Sequence, residues 1–275
     1  MGSLARSRCS SVPAIQRPIT GIIGRVCVVT AGGPYPWIII NALADRFGKV
    51  HVLVEAPETR GAFLARRARL QGWFTVAGQF GTMCLIGFGK ALFRRRIAQI
   101  IESEGLCVTP PAEQPLRKVT SVNSADFLKA IDEIRPTVLL LAGCRILKPN
   151  VLARISCPIL NYHAGITPQY RGMNGGYWAL AKGDRANFGT TVHLVNTGVD
   201  TGAIVAQVRG EPAGNDNIMT YAYRLAAMSR QMCVGAIEDA LDGRLEAHEP
   251  GGESRQWFHP TIWSYLWTGV TKGVW

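Results

Sequence analysis

Acidic residues are scarce in this chain, and no Asp or Glu precedes Asp45. The 275 residues hold 30 Lys and Arg against 19 Asp and Glu, a formal charge of +11. That balance suits anionic partners such as nucleotides, phosphates, acidic lipid or nucleic acid, or marks no more than a solvated basic surface. Paired cysteines are missing too. The 7 cysteines are scattered, with no C-x-x-C, which argues against a disulfide scaffold and for reduced thiols in the cytoplasm. The 5 histidines stand alone, none at ligand spacing from another, so no metal is expected. Gly32 and Gly33 lack the spacing of a dinucleotide fingerprint, so the turn gives no ground for a nicotinamide or flavin cofactor. The start has no apolar h-region and does not read as a secretory signal. There is no internal repeat.

What is present is enough for a core: 47% of the residues are hydrophobic. Residues 1–20 read as a disordered tail. Arg25–Thr30 reads as a buried strand, Ala31–Pro36 as a turn, Trp37–Phe47 as an apolar helix and Lys49–Glu55 as a second strand, a βαβ signature. Pro110, Pro111 and Pro115 mark a loop. Asn123–Asp126 caps a helix running to Ile134, and Thr137–Ala142 is another buried strand. Further strands are expected up to Asn161, over Thr190–Val195 and over Ile204–Val208, with a helix over Gly175–Lys182. The pattern implies an α/β fold, a mainly parallel twisted sheet with helices on both faces. It occupies residues 21–210. A C-terminal extension over 211–275 combines a long helix (Thr220–Leu241, with Asn217 as cap) and a Trp-rich end.

Residues 58–106 form a basic, apolar insertion. Residues 72–89 carry no charge and lie between Arg60, Arg66, Arg67 and Arg69 on one side and Lys90 and Arg94–Arg96 on the other. Three readings stay open: a helical excursion packed on the domain, an interfacial helix giving peripheral contact with anionic lipid through 60–96, or a membrane span. The Trp-rich end must pack on something: its own domain, a partner subunit or a membrane.

The chemistry gathers around Asn161-Tyr-His163. An apolar strand delivers both side chains to its carboxyl end, where ligands collect in such sheets. A Gly- and Pro-rich loop follows: Thr167, Pro168, Tyr170, Arg171 and Gly172. Asp200 sits in Thr197-Gly-Val-Asp-Thr-Gly202. Taken singly, each is ordinary. A lone His after a strand is more often structural, Asp200 suits a turn, and His193 inside a strand reads as structural. Together, an Asn, a His and an Asp can stabilise an oxyanion and move protons.

The ordered set resembles the 10-formyltetrahydrofolate-dependent formyltransferase family. The motifs that carry the likeness are Asn161-Tyr-His163, Thr167-Pro-Gln-Tyr-Arg-Gly172, Gly189-Thr-Thr-Val-His193 and Asp200-Thr-Gly202. The resemblance spans residues 119–210 closely and 25–56 loosely. It implies a Rossmann-like formyltransferase fold. It also implies formyl transfer from 10-formyltetrahydrofolate to an amine, with Asn161, His163 and Asp200 in the catalytic places. Gly143, Cys144, Arg145, Ile146 and Leu147, with Thr197, Gly198 and Val199, would form the folate wall. The loop after His163 reads Ala164-Gly-Ile-Thr-Pro168 where the family commonly has Pro/Ala-Ser-Leu-Leu-Pro. The first loop, Gly32-Gly-Pro-Tyr-Pro36, departs from the phosphate cradle of the glycinamide ribonucleotide enzymes. After Val208 the chain reads as helical and aromatic rather than as the barrel of the initiator-tRNA enzymes, so no nucleic acid is expected. A small amine remains, foremost an amino sugar on a nucleotide, with Tyr35, Trp37 or Tyr177 as candidate base-stacking residues. Two alternatives stand beside it: phosphoribosylglycinamide formylation, and a membrane-associated binding protein without turnover. A homodimer is left open.

Overall fold

The strongest strand signal becomes β1 (Val26–Thr30), the third strand across a seven-stranded sheet in a computed structural model that describes residues 24–275. The tail expected over 1–20 lies outside the described residues. β1 is apolar on both faces. Val26 and Val28 point to one layer, with Ile39, Ile40 and Leu43 of α1 (Pro34–Phe47) and with Cys233 and Ile237 of α8 (Tyr221–Leu241). Cys27 and Val29 point to the other, with Phe127, Ala130 and Ile131 of α5 (Ala125–Ile134) and Val151 of α6 (Pro149–Leu152). β4 (Val138–Leu141) divides the same way. Each fully buried Leu or Ile contributes about 1.5–3 kcal/mol, so a sheet covered on both faces is the natural outcome of these unbroken apolar runs.

The strand order is β3-β2-β1-β4-β5-β7-β8. β2 (Val50–Glu55), β1, β4 and β5 (Ile159–His163) run parallel, as does β3 (Leu116–Val119) at one edge. β7 (Gly189–Leu194) returns antiparallel beside β5, and β8 (Ile204–Arg209) turns back antiparallel to β7. β3 is not legible as a strand because Arg117 and Lys118 interrupt it; charge on an edge strand guards it against foreign pairing. α1 starts earlier than its apolar run, at Pro34, because proline is well placed in a first helical turn. α8 starts at Tyr221. Asn217 does not cap it; its Oδ1 accepts from the Met219 amide, and Thr220 takes the cap position.

The insertion is helical throughout: α2 (Arg60–Gln71), α3 (Trp73–Leu92) and α4 (Arg94–Ser103). α3 and α4 meet at 70°. Among the described residues no single helix is long and apolar enough to cross a membrane. The Trp-rich end packs on its own chain. α9 (Ile262–Lys272) lies along α3, where the Trp263 ring covers Gly78 so closely that a Cβ there would fall 2.3 Å from it. Phe74 stacks on Trp263 with ring centroids 4.6 Å apart. β9 (Gln256–Trp257) pairs with the short β6 (Arg171–Gly172), tying the end of the chain to the loop after β5.

Candidate functional site

β5 alternates in the way a strand must. Leu160 and Tyr162 enter the core, and Asn161 and His163 take the opposite side. The antiparallel register places Asn161 directly opposite His193 of β7. The Asn161 amide nitrogen lies 3.0 Å from His193 Nε2 and donates to Asp200 Oδ1 at 3.1 Å. His193 Nδ1 lies 2.8 Å from the Leu194 carbonyl oxygen, and its Nε2 lies 3.4 Å from Asp200 Oδ1. Asp200 Oδ2 lies 3.4 Å from His163 Nδ1 and accepts from the Gly172 amide at 2.8 Å. Asn161, His163 and Asp200, scattered in sequence, are thus one cluster. His193, which reads as structural in the sequence, is its fourth member. The cross-strand register is the signal that would have found it.

The loop after β5 explains why the cluster holds its shape. It folds back so that the Tyr170 carbonyl accepts from His163 Nε2 at 2.7 Å. Each ring nitrogen of His163 therefore faces an acceptor, and a ring carrying both protons satisfies both. The fold-back needs Gly165: a Cβ there would fall 2.4 Å from the Tyr170 oxygen and 2.7 Å from His163 Nε2. Gly172 is equally constrained, at φ 91 with a hypothetical Cβ 2.3 Å from the Trp257 oxygen. Thr167 precedes Pro168 through a cis peptide bond. Its amide donates to Thr191 Oγ1, and its carbonyl accepts from Gln207. The Tyr170 hydroxyl donates to Asp184, and Arg171 donates to the Val199 carbonyl at 2.7 Å. The loop residues named from sequence therefore hold the cluster from outside; Gly172 alone among them touches Asp200 directly, through its amide.

Burial by itself would raise the Asp200 carboxyl. The neighbouring His163, the adjoining His193 ring and the Gly172 amide outweigh it and hold the group well below the usual carboxylate range. Asp200 sits in left-handed backbone at φ 51, as a short polar side chain tolerates best. It is thus an anchored anion, backed by two imidazoles and an amide. Among the described residues no group of His, Cys, Asp and Glu has the geometry of a metal site.

The turn after β4 divides in two. Gly143 and Ile146 are exposed, whereas Leu147 is in the core beside Phe127 and Val151. Cys144 is half-buried against the same cluster, and its surroundings push the thiol up to about 12. Arg145 is committed to Glu55, donating from its backbone amide at 2.9 Å and from Nε at 2.6 Å. Glu55 also accepts from the Val122 amide and Ser121. This clamp joins the ends of β2 and β4 to the start of α5 and was not legible beforehand. The one available signal is a lone acid closing an apolar strand. Thr197 and Gly198 are exposed beyond β7, while Val199 leads into Asp200. Three aromatic candidates for base stacking are occupied elsewhere. Tyr177 is 1% exposed, Trp37 is in the core, and Tyr35 packs edge-on against Tyr223 at 4.9 Å. A cavity of about 280 Å³ opens nearby between Trp178, Trp257, His259, Gln79 and Ser264. The cluster itself does not line it; the β6–β9 pair connects the two.

The family model for formyl transferase matches residues 94–237, just over half of the chain. A methionyl-tRNA formyltransferase of Chlorobium luteolum is 32% identical over 130 residues, 47% of this chain and 41% of that protein. A phosphoribosylglycinamide formyltransferase of Escherichia coli is 30% identical over 125 residues, 45% of this chain and 58% of that protein. The chain thus spans about half the length of these curated relatives. A sugar N-formyltransferase from a Shewanella species shares the fold at a TM-score of 0.54, with 16% identity over 85% of this chain and 76% of that one.

Proposed function

The chain belongs to the formyl transferase family, and from that premise we propose that it moves a formyl group from 10-formyltetrahydrofolate to a small-molecule amine. The observation that carries this reading is the convergence of Asn161, His163 and Asp200, within 3.4 Å of one another through Asp200. The amine nitrogen attacks the formyl carbon, and the carbonyl π pair moves onto the formyl oxygen. Asn161 and a protonated His163 would meet that oxyanion by exchanging a present contact for it, Asn161 the one with His193 and His163 the one with the Tyr170 carbonyl. On collapse the bond from carbon to the folate nitrogen breaks, and that nitrogen takes the proton the amine has lost, relayed through Asp200 or water. Asp200 accepts the proton lost by the amine, directly or through water, and stabilises the imidazolium. His193 orients Asn161 and so acts as a positioning residue. The exposed Gly143 and Ile146 on one side and Thr197–Val199 on the other would hold the folate.

For the acceptor we infer an amino sugar carried on a nucleotide. Pro34 and Pro36 occupy the first turn of α1, which removes amides that a phosphoribosyl phosphate would use. That weakens the purine-precursor alternative. The fold neighbour described as a sugar N-formyltransferase is consistent with the same choice. The cytoplasm, where thiols stay reduced, is the setting we infer for it.

The test is tetrahydrofolate release, followed by absorbance, with purified protein, 10-formyltetrahydrofolate and a panel of nucleotide-linked amino sugars plus glycinamide ribonucleotide. Release with one amino sugar, lost in His163→Ala, is the expected result. Release only with glycinamide ribonucleotide would move the acceptor to purine synthesis. No folate binding at all would leave a resemblance of fold alone.

A further inference from the structure

α3 leaves more large apolar side chains in solvent than it buries. Its inward side carries Gln79 and Thr82, 4% and 0% exposed, beside Val76, with Leu85 and Ile86 half-buried, whereas Phe88 and Leu92 on its outward side are 85% and 81% exposed. Trp73 and Phe80 continue that outward stripe. α9 does the same: Tyr265 and Thr268 face in, while Trp267 and Val270 are 71% and 76% exposed. The two stripes are joined, since α3 and α9 pack together and Phe74 stacks on Trp263. Leu70, 72% exposed at the end of α2, is a further large apolar side chain in solvent, three residues before Trp73. Contiguous apolar surface of this kind marks an interaction site.

The charge around it narrows the occupant. Residues 59–101 contain no Asp or Glu, and neither do residues 254–275. Arg69 precedes Leu70, and Arg94 and Arg95 follow Leu92; all three are exposed and form no ion pair among the described residues. A second copy on this face would set these arginines against each other. Residues 1–23 carry Arg6, Arg8 and Arg17 and no acid, so they share the charge instead of balancing it. An anionic bilayer satisfies both features: Trp and Phe enter the boundary between headgroups and chains, and each basic residue gains from the negative surface.

We propose that the face formed by α2, α3 and α9 seats the protein on a bilayer rich in anionic lipid. The helices lie in the interface and do not span. The inference is independent of the transfer reaction, and its test uses no substrate.

The experiment is flotation of the full chain with vesicles of phosphatidylcholine alone and of phosphatidylcholine mixed with phosphatidylglycerol. Quenching of tryptophan fluorescence by brominated acyl chains is the second readout. Flotation with the anionic vesicles is expected, weakened by salt, together with quenching in the unmodified protein. The double variant Phe88→Glu, Trp267→Glu should float more than tenfold less, with its circular dichroism retained. Arg94→Glu with Arg95→Glu alters only exposed charge and should weaken binding by more than about tenfold. Three results would overturn the proposal: no flotation with either vesicle, flotation unchanged by both double variants, or a dimer in light scattering that Phe88→Glu, Trp267→Glu dissolves.

Discussion

Two regions of this molecule reverse the usual rule of apolar inside and polar outside, and they do so for different reasons. At the carboxyl end of β5, two histidines and a carboxylate are drawn inside. On α3 and α9, tryptophan and phenylalanine are turned out. The first reversal is resolved within the chain: Asp200 is met by His163, His193, Asn161 and the Gly172 amide. A buried polar group with partners is tolerable, and a buried charge held this way is poised for chemistry. The second has no resolution among the described residues, because exposed apolar area gains nothing from neighbours on the same helix. Buried polar groups that converge on one carboxylate and leave it ionised suit a reaction centre, whereas apolar area left in solvent points to something outside the chain.

The contrast would break most visibly at His163. If the cluster is catalytic, His163→Ala should lower tetrahydrofolate release by about a thousandfold or more, while folate binding stays close to that of the parent. Unfolding instead, seen by circular dichroism, would make the histidine structural. Asp200→Asn should reduce turnover steeply and shift its pH profile, since the imidazolium loses its counter-charge; an unshifted profile would remove Asp200 from proton transfer.

Stability sharpens the same contrast. Glu55→Ala leaves Arg145 and the Val122 amide without their acceptor and should cost about 3 kcal/mol in urea unfolding. A loss below about 1 kcal/mol would mean that the clamp is dispensable. Ile39→Ala in the core should cost a similar amount, about 2–5 kcal/mol. Asp200 contributes stability through pH. Its folded-state pKa is depressed, so the unfolded chain takes up the proton first. Its stabilising share is whole above about pH 4 and is lost as pH falls through the folded value. Asp200→Asn should flatten that acid limb, and an identical limb in both proteins would assign acid sensitivity to other carboxylates. Smallest of all should be Phe88→Ala, within about 0.5 kcal/mol, because the ring is already in solvent. A core-sized loss there would mean that the side chain is covered in solution.

Much of the fold was legible in advance because period and composition carry it. β1 and β4 read as buried strands because every position but Thr30 is apolar, and the structure covers both faces of each. β3, with its charged pair, and the two-residue β6 and β9 have too few residues for a period to register. At the site, Asn161, His163 and Asp200 were legible as a set through the resemblance of their motifs to the formyltransferase family; each alone is ordinary. His193 was not, since a histidine at an inward strand position looks like core until the partner strand is known. Glu55 was hidden likewise, because its partner Arg145 lies far along the chain. The aromatic candidates failed for the opposite reason: Tyr177 and Trp37 have the right chemistry but no free face.

By itself the sequence marked the long apolar strands, the main helices and the side chains able to do acid–base chemistry, because those properties are local. Only the tertiary structure decided that β7 returns antiparallel beside β5 and so sets His193 against Asn161. It alone turned the charge-free stretch 72–89 into a helix that packs Gly78 on Trp263 and leaves Phe88 outside. Hydrophobic periodicity says that a helix has an apolar side. Which way that side points depends on what else the chain brings to it, and that is fixed by contacts between residues distant in sequence.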